Sequence, residues 1–220
     1  MTSENAIGQD NIVPSWHAEA ELRVNLIRML AIAGFYFVHF LHVYAPGWGS
    51  DIATIIGFAT NQPVDPNVHI AVSIIAFGWL MLAFAVQFIA QQQRSTYWLA
   101  LFSTLGDLVF LTSILALSTG PKGPMVAGYF LIIMLTGLRF DLRLIRVTTL
   151  ATIVAYIALL GVAKWPSQMS MQMGIETVPR YHQIMTVVAL AFAGGIMGQV
   201  VRLAYSALKV GRPVKGVQDK

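Results

Sequence analysis

Residues 97–117 read YWLALFSTLGDLVFLTSILAL, twenty-one positions with a single charged side chain, Asp107, at their centre. About 20 mostly apolar residues at 1.5 Å rise each cross the hydrocarbon of a bilayer. A soluble core helix would show a polar face over that length, and this stretch shows none. Five further stretches of the same character flank it, at roughly 26–44, 69–90, 125–138, 147–163 and 183–205. The expected fold is all-α, an integral membrane bundle of six transmembrane helices. The fourth stretch is short for a span, and a re-entrant segment is the alternative there.

Charge gives the orientation. With the N-terminus inside, Arg23, Arg28, Arg94, Arg139, Arg143, Arg146, Arg202, Lys209, Arg212, Lys215 and Lys220 fall on the inner side. Only Lys122, Lys164 and Arg180 fall outside. An excess of Lys and Arg in inner loops sets orientation during insertion, so the expected topology is N-in and C-in. The same placement accounts for the net charge of +4. Nucleic acid is therefore not an expected partner. The composition, 56% hydrophobic and 11% charged, agrees with a multi-pass protein. Cysteine is absent, which excludes thiolate metal sites and thiol catalysis. The first 25 residues lack an apolar core, so no cleavable signal peptide is expected. The organisation reads as a disordered arm at 1–14, a six-helix domain at 15–205 and a basic tail at 206–220.

Four histidines gather toward the outer side. His39 and His42 are three apart and share a helix face. His39 lies eleven residues beyond Arg28, roughly 16 Å of rise. His69 and His182 open the second and sixth spans from the outside. Imidazole ligates transition metals and haem iron, so these four are the candidate site for zinc, copper or haem b. The alternative is a set of interfacial or hydrogen-bonded side chains. Asp107 is an acid at membrane depth that needs a partner. His39 is the partner expected for it, as the carboxylate behind a ligand imidazole.

Two other patterns stand out. Met169, Met171 and Met173 alternate in an outer loop, and thioethers select Cu(I), so a copper-handling protein is one alternative. Gly194 and Gly198 form a G-x-x-x-G strip that lets helices approach closely, inside the bundle or at a dimer seam. No phosphate loop, nucleophile–base set or zinc-protease motif is present, which argues against an enzyme.

The run Gly128-Tyr129-Phe130-Leu131-Ile132-Ile133, then Leu138-Arg139-Phe140, Tyr156 and Leu159-Leu160-Gly161, resembles the six-span membrane modules found ahead of some bacterial adenylate cyclases and protein kinases. Gly106 to Thr112, Val178 to Gln183 and Gly198 to Arg202 extend the likeness over roughly residues 22 to 205. The resemblance implies a bacterial inner-membrane module that anchors or senses, with output in a following cytoplasmic domain. The chain ends after Lys220, so a stand-alone version is expected, working as a homodimer or as a subunit of a larger membrane complex. A b-type haem electron-transfer subunit is the competing expectation.

Overall fold

The computed structural model describes residues 12–44, 66–92, 97–117, 120–164 and 178–210. Among them the chain forms six α-helices and no strand. These are α1 (Ile12–Tyr44), α2 (Pro66–Gln91), α3 (Tyr97–Leu117), α4 (Ala127–Gly137), α5 (Leu142–Lys164) and α6 (Arg180–Val210). Four of them, α2, α3, α5 and α6 to Ala207, are long and apolar enough to cross a membrane. The helix of α1 starts at Ile12, so the first residues of the expected 1–14 arm lie outside the described residues but its end is helical. At the other terminus, α6 runs past 205 to Val210.

The outside of the bundle is apolar. Phe77, Phe102, Phe192, Ile196 and Leu203 are each more than 60% exposed. Such a surface is stable in hydrocarbon and not in water. Inside, small and polar residues let the helices close. The apolar window of α3 is 44% buried, against 17% for α6, so α3 is central and α6 peripheral. Its buried stripe, Ala100, Ser103, Thr104, Asp107, Leu108, Leu111, Ile114 and Leu115, packs against α2, α4 and α5. α1 packs mainly on α2, and α6 on α4 and α5.

The short fourth segment has a local cause. Two 3-10 turns, Gly120–Lys122 and Pro124–Val126, precede α4, with Gly120, Pro121 and Gly123 buried. Proline cannot sit inside a helix without losing a hydrogen bond, so the tight turns take up depth that an α-helix would otherwise cover. At its other end α4 closes with Arg139 and Phe140 N–H groups donating to the Thr136 and Gly137 carbonyls, and Phe140 is left-handed at φ 55°. Asp141 then caps α5, its Oδ1 accepting from the Arg143 N–H at 2.8 Å and the Leu144 N–H at 3.2 Å. We call this corner, 138–141, the corner end of the bundle and the opposite end the histidine end.

Candidate functional site: a buried charge lattice and a histidine pair

α1 carries Glu21, Asn25 and Arg28 at i, i+4 and i+7, one stripe of one face. All three are buried, Asn25 completely. The bundle therefore takes hold of α1 about five residues earlier than the expected span start at 26. Glu21 Oε1 accepts from Arg139 Nη2 at 2.6 Å, tying α1 to the corner. Arg139 Nη1 also donates to the Thr104 hydroxyl at 2.7 Å and the Ala100 carbonyl at 3.2 Å on α3. Asn25 donates to the Ala83 carbonyl and to Gln87 Oε1 on α2, at 2.9 and 2.8 Å. Arg28 Nη1 donates to Asn25 Oδ1 at 3.0 Å.

Arg28 is also the partner of Asp107. Its Nε lies 2.9 Å from Asp107 Oδ2. The contact is an ion pair rather than an aligned hydrogen bond. Asp107 Oδ1 accepts from the Trp79 indole at 2.8 Å. The carboxylate expected to stand behind His39 thus faces Arg28 and Trp79. The physical reason is reach. Arg28 is seven residues, about 10 Å, beyond Glu21 on α1, and its long stem carries the charge further. The two ion pairs, about 10 Å apart along α1, tie α1 to α3 and to the corner, and the Asn25 and Trp79 hydrogen bonds add α2. In low dielectric such pairs are costly to break singly. A cavity of about 20 Å³ adjoins Arg28, Trp79 and Asp107, room for one water.

The second feature lies one bundle length away. His39 Nε2 and His69 Nδ1 are 3.1 Å apart, with the rings stacked at 5.3 Å and 22°. One turn deeper, the Tyr36 and Ser73 hydroxyls are 3.2 Å apart. These contacts close the histidine end of the α1–α2 seam. A nitrogen separation of 3.1 Å is short of the about 4 Å that two ligands need on opposite sides of one metal at about 2 Å each. The pair as it stands leaves no space for haem iron between them. It does match two adjacent ligands of a tetrahedral ion, about 3.3 Å apart.

His182 is not brought to that pair. It is exposed at the start of α6, its ring 4.2 Å from that of Tyr181, on the helix that packs against α4 and α5. The side chain of His42 lies outside the described residues, as do Met169, Met171 and Met173. Among the described residues no three His, Asp or Glu side chains come together as a metal site. The two strip glycines separate in role. Gly194 is buried, and a Cβ there would collide with Thr149 of α5. Gly198 faces open space.

Glu21, Asn25, Arg28, Trp79 and Arg139 were missed as site residues. The signal for the first three was their helical spacing, polar at 21, 25 and 28 on the approach to a span. Comparison with protein families, curated proteins and solved structures found no match to this chain.

Proposed function

We propose that the chain is a six-span module of a bacterial cytoplasmic membrane, N-in and C-in, that senses or anchors rather than catalyses. It works as a homodimer or as a subunit of a larger membrane assembly. Its ligand point is the His39–His69 pair, and the ligand is the proton or a transition-metal ion. The observation that carries this reading is the placement of that pair on the same α1–α2 seam as the Asn25 hydrogen bonds, on the helix that also carries Glu21 and Arg28 of the buried ion pairs. From Glu21 to His39 is eighteen residues, about 27 Å of helix, close to the hydrocarbon thickness of about 30 Å. A titratable contact on one side and a charge latch on the other share one rigid element.

The chemistry is that of a switch. With at least one neutral ring, one imidazole donates and the other accepts. When both are protonated both nitrogens are donors, and the contact becomes repulsive. A metal ion takes the place of the proton and holds the two nitrogens at about 3.3 Å, close to their separation here. The four-histidine haem reading loses ground to this one, because His39 and His69 meet directly.

Spin labels at Phe37→Cys on α1 and Ile70→Cys on α2, both lipid-facing positions, test it. The label distance should lengthen between pH 8 and pH 5, and zinc should oppose that lengthening. The shift should vanish in His69→Gln, which keeps a hydrogen-bonding side chain without titrating. A distance that ignores pH and zinc in the parent protein defeats the sensing reading. Metal analysis and an absorption spectrum of protein from native membranes would separately expose haem.

A further inference from the structure

At the corner end, α5 and α6 diverge to leave a groove of about 430 Å³. That is within the range of about 300–1,000 Å³ typical of small-molecule sites. Gly194 closes its deep end against Thr149. Gly195 and Gly198 form its open wall, with nothing within 4 Å of the position a Cβ would take at either. Arg146 from α5 and Arg202 from α6, with Gln199, stand at its mouth. Both arginines are exposed, and no hydrogen bond or ion pair to either is formed among the described residues. The mouth is held in place from both sides. The Tyr205 hydroxyl donates to the Phe140 carbonyl at 3.0 Å, and Leu142 begins α5 beside it.

We propose that this groove binds an anionic phospholipid, its phosphate between Arg146 and Arg202 and one acyl chain along Gly195 and Gly198. Charge complementarity selects the occupant. Two guanidinium groups face one apolar trough at the end of the bundle where the Glu21–Arg139 pair and the α4–α5 corner lie. Arginine forks match phosphate oxygens in pairs, and basic pockets between spans at that level bind anionic headgroups. From Arg202 to Gly195 is seven residues, about 10 Å of rise, the direction in which an acyl chain runs from its headgroup. A second copy of the chain docked here about a two-fold axis would bring two more arginines to the same mouth. The groove then repels its own copy. The proposal needs the bundle to lie in a bilayer and is independent of the histidine switch.

Native mass spectrometry of the full chain, released from nanodiscs, tests it. Phosphatidylglycerol and phosphatidylcholine of identical acyl chains are the probes. The parent protein should retain phosphatidylglycerol preferentially. Arg146→Gln and Arg202→Gln should each weaken that retention by about five-fold, the loss of one interfacial charge, and leave phosphatidylcholine unchanged. Gly198→Leu, which fills open space, should weaken both lipids. Lys122→Gln, at the other end of the bundle, should change neither. Equal retention of the two lipids by the parent protein, or undiminished phosphatidylglycerol preference in the Arg146→Gln, Arg202→Gln double variant, overturns the proposal. Displacement of the lipid by millimolar inorganic phosphate would make it a site for the free ion and overturns it too. So would Gly198→Leu turning a dimer into a monomer with lipid retention intact, since the groove would then belong to a second chain.

Discussion

Arg28 and Asp107 each make the other tolerable inside the bundle. Removing one partner leaves a buried charge alone, which costs about 3–5 kcal/mol, whereas replacing both with apolar side chains is often near neutral. Arg28→Met and Asp107→Leu should therefore each lower the thermal midpoint in detergent steeply. The double variant Arg28→Met, Asp107→Leu should recover most of that loss. Independent, additive losses in the double-mutant cycle would mean that the two side chains are not coupled. The position of Asp107, alone in the middle of an apolar stretch, was plain in the sequence. Its partner was not, because a count of basic residues treats every arginine near a span end as a loop charge. Arg28 looks like an inner flank until α1 is known to enter the bundle at Glu21. Likewise His39 and His69 were legible as residues of one end. That His182 stands apart depends on which helices α6 packs against, and no local pattern encodes that.

Among the elements, α6 depends on two close approaches. Gly194 sits where any side chain meets Thr149, and Gly137 of α4 sits equally close to Met197. Gly194→Val should push α6 off α5 and lower the thermal midpoint by more than Gly198→Val, whose side chain meets open space. A midpoint unchanged in Gly194→Val would show that the α5–α6 seam is not so tight. The corner is a second dependence. Asp141→Ala removes the cap of α5 and should cost about 1 kcal/mol, measurable as a shift of the denaturation curve. The G-x-x-x-G spacing marked two small residues on one side of α6. It did not tell that one glycine faces inward and the other a groove, because helical periodicity fixes the shared side of two residues and not what lies opposite each.

At the scale of the molecule, cysteines at Ser50 and Ser170 should label from outside in intact cells and one at Ser206 should not, if the N-in, C-in proposal holds. Labelling at Ser206 from outside would invert it. Among the described residues the helices and their approximate limits were readable because long apolar runs are a strong signal. α4 was the hard case, since Gly and Pro shorten it to eleven helical residues. The Glu21–Arg139 pair has a consequence for how the chain is made. The two residues are 118 positions apart. At about 5–20 residues per second, a ribosome needs about 6–24 s to supply Arg139 after Glu21 has emerged. During that interval Glu21 lacks the guanidinium that neutralises it in the folded bundle. A chain arrested before Arg139 would present that unneutralised acid as a mark for membrane proteases. Pulse-labelled chains truncated at residue 117 should turn over faster than the full chain, and Glu21→Gln should slow their loss.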